Sequence, residues 1–269
     1  MKSKKASAAV RSKPWIRFPV AAIGASMGGL RAISEILSAL PRDFPGAVVV
    51  VQHIPPHKKS YLAEILSRRT PLKVKQAEQG DRLRPGEVFV APPDKHLLVN
   101  PNGRLSLSHA AKVRFSRPAA DVLFESVAAS CGEQCVGIVL TGGDFNGAQG
   151  VRAIREAGGI VVAQDEVSSE LFGMPQAAIA TGVVDYVLPL DEIAHLLVFF
   201  ANRAVGRAEQ EPIVYVRKHL PNSTCPSPGH ACSVHECSKK TKGAVKRRIV
   251  RHSRTGGSQR SAFAEAPAV

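Results

Sequence analysis

The turn Gly24-Ala25-Ser26-Met27-Gly28-Gly29 joins a β-rich run, FPVAAIGA, to a helix-like segment from about Gly28 to Leu40. It holds G-x-S-x-G in the strand-to-helix setting that lifts a serine hydroxyl onto a sharp, exposed turn. Glycines on both sides let the turn tighten, and the amides opening the next helix point toward any negative charge developing on a nearby oxygen. The chemistry expected is acyl transfer at Ser26. Glycine-rich turns of this kind also cradle phosphates, but GASMGG lacks both the G-x-G-x-x-G spacing and a G-K-[ST] ending. A purely structural turn is the remaining reading.

A serine is a weak nucleophile without a base in hydrogen-bond reach. His53 is the best candidate, because it closes the run AVVVVQ where the chain leaves the sheet, and Pro55 and Pro56 hold that exit rigid. His57, His96 and His109 are alternatives, but none closes a long apolar strand. A second glycine-rich turn, LTGGDFNGAQG from Leu140 to Gly150, offers Asp144 and Asn146. Either could orient the imidazole, and either could instead cap the helix expected from Gly147.

These turns need a sheet to position them. Short β-rich runs alternate with helical patterns from Phe18 to about Asn202, which predicts an α/β fold, a doubly wound and mostly parallel sheet with helices on both faces. The expected strands are FPVAAIGA, AVVVVQ, EVFVAP, VGIVL and GIVVA; the helices fall near 58–68, 118–130 and 147–157 and from Leu190. HLLV and RLSLS, joined by the turn NPNG, predict a small antiparallel excursion at the sheet edge. Ligands of such sheets bind outside the carboxyl ends of the strands, where the three polar turns lie.

The 269 residues carry a formal net charge of +14, but the excess is at the ends. Residues 1–17 hold six Lys or Arg and no acid, residues 18–200 hold 17 basic against 18 acidic, and residues 201–269 hold 13 against 4. The expected organisation is a basic N-terminal segment (1–17), a catalytic domain (18–202), and a basic, mostly disordered extension (203–269). A near-neutral domain argues against nucleic-acid binding, and the tails either touch an acidic surface or stay solvated. No apolar run is long enough to span a membrane and no secretory signal is visible, so a cytoplasmic protein is expected. Five scattered cysteines suit a reducing compartment. Cys225, Cys232 and Cys237, with His230 and His235, lack the C-x2-C pairs of a strong zinc motif, and no metal is expected.

GASMGG, VVQHIPP, SRPAADVLFES, LTGGDFNGAQG and AQDEVSSELFGMPQAAIATGVVD, in this order, resemble the catalytic domain of the CheB family, the chemotaxis protein-glutamate methylesterases. The resemblance covers about Val20 to Val198. It implies hydrolysis of glutamate γ-methyl esters on the cytoplasmic helices of chemoreceptors, and a related amidase reaction on glutamines, without metal or organic cofactor. It also implies Ser26 as nucleophile, His53 as general base and backbone amides at Met27 and Gly143 as oxyanion donors. The family turn runs LTGMGxDGAxG; its methionine position is Gly143 here, and its orienting aspartate aligns with Asn146, leaving Asp144 as the alternative orienter. The threonine usual after the nucleophile is Met27, and the family's receiver domain is absent from the 17 residues before the first strand. Asn146 makes a weakened, binding-only relative the main rival reading.

Overall fold

The computed structural model describes residues 16–207. Seven strands form one sheet: β1 (Val20–Ala25), β2 (Ala47–Gln52), β3 (Lys73–Gln76), β4 (Glu87–Val90), β7 (Cys135–Val139), β8 (Ile160–Gln164) and β9 (Tyr186–Leu188). Their order is β3-β4-β2-β1-β7-β8-β9, and every pairing is parallel. Parallel neighbours require crossovers, which place helices over the faces. Helices α1 (Gly29–Ala39), α2 (Leu62–Ser67) and α6 (Leu190–Ala204) cover one face. On the other lie α3 (Ala120–Cys131), α4 (Gly150–Glu156), α5 (Gly173–Ala180) and a hairpin of β5 (His96–Val99) and β6 (Leu105–Ser108).

The two-faced burial explains why the central strands read as continuous apolar runs. Along β2, Val48 and Val50 join the core under α1 and α6, while Ala47, Val49 and Val51 join the core under α3. All five are fully buried, and each valine contributes about 1.5–3 kcal/mol by leaving water. On α1, Ala32, Ile33, Ile36 and Leu37 recur at helical spacing and supply the stripe that meets the sheet.

The antiparallel excursion is a two-stranded sheet of its own, and its Leu97, Val99 and Leu105 sit in the α3-side core. Ser126 and Ser130 of α3 hydrogen-bond the amide and carbonyl of Val99 and fix it there. Two helices start later than their periodicity predicts. α2 begins at Leu62 after the cap residue Tyr61, and Ser60 Oγ accepts the Leu62 amide just ahead of it. Gly147 has φ +98°, which no helix accommodates, so α4 begins at Gly150.

Residues 1–15 and the extension from 208 onward, with its cysteine and histidine cluster, lie outside the described residues. Among the described residues no cluster of His, Cys, Asp and Glu could hold a metal, and no helix is long and apolar enough to cross a membrane.

Candidate active site

β1 has β2 on one side and β7 on the other, so the connections leave it in opposite directions and a crevice opens at the carboxyl ends of β1 and β7. Ser26 directly follows β1. Its amide donates to Thr141 O at 2.9 Å, and its carbonyl accepts from Gly29 at 3.0 Å. Gly28 takes φ +79° to swing the chain into α1, a conformation that favours glycine. Gly142 allows a close approach, since a Cβ there would strike Ser26 Cβ and the Met174 side chain. Ser26 is half-buried, and Met27 beside it is 60% exposed.

His53 follows β2 at the same level. The β1–β2 ladder ends on Ala25 opposite Gln52, and the His53 amide donates to Ala25 O at 2.9 Å. Ser26 and His53 thus leave adjacent strands whose backbones run about 4.8 Å apart. Gln52 joins them further: its Nε2 donates to Ser26 O at 2.6 Å and to His53 O at 3.2 Å. Sequence reasoning missed Gln52, although its place at the strand end beside His53 was the available signal.

The His53 side chain is only 10% exposed. Its Nδ1 lies 3.2 Å from Asp144 Oδ2, close enough for pairing but not aligned as a hydrogen bond; Nε2 is buried with no hydrogen-bond partner among the described residues. Such bonds often align only when substrate is bound. Burial pushes the Asp144 carboxyl up, but the His53 imidazole, the Asn146 amide and the Arg114 guanidinium together hold it below the usual aspartate value. Asp144 is therefore an anion beside the buried ring at neutral pH.

Asn146 is fully buried and its side chain is engaged elsewhere. Its Oδ1 accepts the Asp121 amide at 3.1 Å, in the first turn of α3, and its Nδ2 donates to Val113 O at 3.3 Å. Asp121 in turn accepts the Gln149 and Gly150 amides at the start of α4. Asp121 of α3 thus caps the start of α4, and Asn146, in the loop before α4, serves the first turn of α3 rather than the helix that follows it.

Thr141 and Gln164, also unforeseen, hold the loops together. Gln164 Oε1 accepts the Thr141 amide, and Thr141 Oγ1 lies within hydrogen-bond distance of the carbonyls of Met27 and Leu171 and accepts the Leu171 amide. The amides of Met27 and Gly143 donate to no described residue, whereas that of Gly142 is bonded to Leu171 O. Of the other histidines, His57 and His109 are exposed, and His96 is buried between Ala111 O and the Ala119 amide. Burial raises the thiol of Cys135 to about 12 and that of Cys131 further, which makes neither a nucleophile.

A groove of about 310 Å³ runs from His53 along Ile54, Pro55 and Pro56 to a tight hairpin at 113–116. Val113 and Ser116 exchange both backbone hydrogen bonds, and the two residues between them, Arg114 and Phe115, have φ +47° and +65°. Such turns normally take Asn-Gly, and bulky residues in this region cost on the order of 1–3 kcal/mol each. Phe115 is 97% exposed.

The CheB methylesterase family model matches residues 21–197. The chain is 43% identical over 190 residues to protein-glutamate methylesterase FrzG of Myxococcus xanthus, covering 71% of this chain and 57% of that one. It is 45% identical over 181 residues to a protein-glutamate methylesterase/protein-glutamine glutaminase of Anaeromyxobacter dehalogenans, covering 67% and 53%. The chain thus spans little more than half the length of these relatives. The crystal structure of the Thermotoga maritima CheB methylesterase catalytic domain superposes with a TM-score of 0.66 at 36% identity, over 68% of this chain and 99% of that one. Fold, motif order and these likenesses agree: the chain belongs to the CheB methylesterase family.

Proposed function

We propose that this chain is a cytoplasmic protein-glutamate methylesterase that hydrolyses glutamate γ-methyl esters on chemoreceptor cytoplasmic helices, and deamidates glutamines there. Ser26 is the nucleophile, His53 the general base and Asp144 the carboxylate that orients it. The observation that carries the reading is the pairing of His53 Nδ1 with Asp144 while Ser26 leaves the neighbouring strand at the same level. With Nδ1 facing a carboxylate, Nε2 is the nitrogen left for the serine.

Ser26 Oγ attacks the ester carbonyl as His53 takes its proton, forming the Oγ–C bond and a tetrahedral oxyanion. The amides of Met27 and Gly143 are the proposed donors to that oxygen. His53 then gives the proton to the departing methoxide, releasing methanol and leaving an acyl-enzyme. Water attacks next with His53 again as base, and Ser26 departs with its proton restored, leaving a glutamate carboxylate. A glutamine follows the same path with ammonia as leaving group. No step calls for a metal or cofactor. The rival reading of a weakened, binding-only relative rests on Asn146; the Asp144 carboxylate beside His53 supports the enzyme reading instead.

The test is intact-mass detection of a phosphonate or sulfonyl fluoride adduct, mapped by peptide sequencing. One adduct on Ser26 is expected, and Ser26→Ala should lose both the adduct and at least about 10³-fold of kcat at unchanged Tm. A Ser26→Ala protein that still hydrolyses esters would remove Ser26 from the chemistry.

A further inference from the structure

We infer that the 113–116 hairpin determines substrate choice at this site: Phe115 seats on the apolar face of an acidic helical segment, while Lys112 meets carboxylates on that segment. The inference rests on the methylesterase reading above, since the reacting glutamate must belong to that segment.

An aromatic ring exposed at 97% on a strained turn is disfavoured twice, by water and by backbone. Yet the turn is held firmly. Asn146 Nδ2 donates to Val113 O, Arg117 bonds Asp94 through two nitrogens and the carbonyls of His109 and Ala110 through a third, and His96 fixes Ala111 and Ala119. A framework reaching from the α3 cap to the β5 strand thus presents Phe115 to solvent in one place. That place is the groove that His53 lines. Pro55 and Pro56 form its other wall, so a guest meets rigid apolar surface on both sides and loses little by ordering it.

The charges around the groove select the guest. Asp144 is paired with His53, Asp94 with Arg117, and Asp121 is buried under the α4 amides. Lys112 lines the groove and touches Asp94 only through space, Arg114 reaches Asp121 only at 3.9 Å and is half exposed, and Lys58 and Lys59 are exposed on the β2 exit, Lys59 over the Tyr61 ring. Around the groove Lys58, Lys59, Lys112, Arg114 and Arg117 face the carboxylates of Asp94, Asp121 and Asp144, so the surplus charge is positive, which fits a segment with carboxylates flanking the reacting residue.

The experiment uses three probes with the full chain: a synthetic helical peptide carrying one glutamate γ-methyl ester flanked a turn away by glutamates, the same peptide with serines as flanks, and p-nitrophenyl acetate. Phe115→Ala should lower the ratio of kcat/KM on the acidic peptide to that on the small ester by about tenfold, mainly through KM, and Phe115→Leu should restore most of it. Lys112→Gln should erase the preference for the acidic over the serine-flanked peptide. Fluorescence anisotropy of the labelled acidic peptide, in a Ser26→Ala background, should show binding about tenfold weaker for Phe115→Ala. A ratio and a binding constant both within twofold of the parent, or no preference between the two peptides, overturns the proposal. If the native chain hydrolyses none of the three probes, the methylesterase reading falls, and the anisotropy still decides whether the hairpin grips the helix.

Discussion

The two ends of the parallel sheet are built by different rules. At the amino end, the left-handed backbone positions in the turns entering β4, β7, β8 and β9 are glycines: Gly86, Gly132, Gly158 and Gly182. At the carboxyl end they include Asp94, Arg114 and Phe115. Burial is inverted there as well. Met27, Phe115, Phe145, Val167 and Leu171 are exposed, while Thr141, Asn146 and Gln164 are buried. The amino end only has to reverse the chain, so each turn takes the residue with the least strain. The carboxyl end has to hold side chains in set positions against water, and it spends stability to do so.

The sharpest way to break this contrast is within one loop, where Asp144 and Asn146 lie two residues apart with opposite roles. Asp144→Asn should lower kcat by about 10²–10⁴-fold with a small but measurable loss of Tm, because it removes the anion beside His53. Asn146→Asp should leave kcat no higher and lower stability by about 2–4 kcal/mol at neutral pH, since it buries a charge next to Asp121 and loses the donor to Val113 O. Kinetics and thermal melts on both variants decide the matter. A large gain in kcat from Asn146→Asp would reverse the assignment.

Gln52→Leu keeps the volume but removes the amide that holds the Ser26 and His53 carbonyls. A fall of about tenfold in kcat is expected. KM should stay near its original value, which separates a positioning role from a binding one.

A smaller effect sharpens the contrast from the stability side. The double change Arg114→Asn with Phe115→Gly supplies the residues that the turn prefers, and should raise stability by about 1 kcal/mol, or roughly 2–4 °C in Tm for a domain of this size. A drop in Tm would mean that the hairpin is not strained.

The smallest effect concerns pH. The folded Asp144 carboxyl lies below its ordinary value, so its contribution to stability is complete above the unfolded value of about 3.9 and is lost as pH falls through the folded one. The Tm difference between the native chain and Asp144→Asn should therefore shrink between pH 6 and pH 3. The change is modest because the side chain is 36% exposed and solvent screens it. A difference that grows on acidification would contradict the pairing with His53.

Much of this end of the molecule was legible in the residues. The proposed nucleophile Ser26 is marked by glycines at a strand-to-helix boundary, and the proposed base His53 by its place at the end of five fully buried apolar positions. The third turn was not decidable, because which side chain of Asp144 and Asn146 faces inward depends on the path of a loop containing Gly142, Gly143 and Gly147, and no periodicity fixes that path. Edge strand β3, Lys73–Gln76, has only the short alternation of Leu72 and Val74 to betray it, and β9 has three residues. Helix α5 opens with glycine and carries Pro175, so it reads as loop although Met174 and Ala178 anchor it in the core. Gln52, Thr141 and Gln164 work through contacts distant in sequence, which spacing does not record.

The pairing of Ala25 with Gln52 also governs how heat should silence the molecule. Ser26 and His53, the proposed nucleophile and base, are spaced by strands from the most buried part of the sheet, so their alignment lasts until that sheet separates. The hairpin bearing Phe115 is tied down by single side-chain bonds from Asn146, Arg117 and His96 rather than by a strand ladder of the sheet, and should loosen first. Under the proposed function, warming should abolish the choice among peptides while small esters are still cleaved, so discrimination fails before catalysis does.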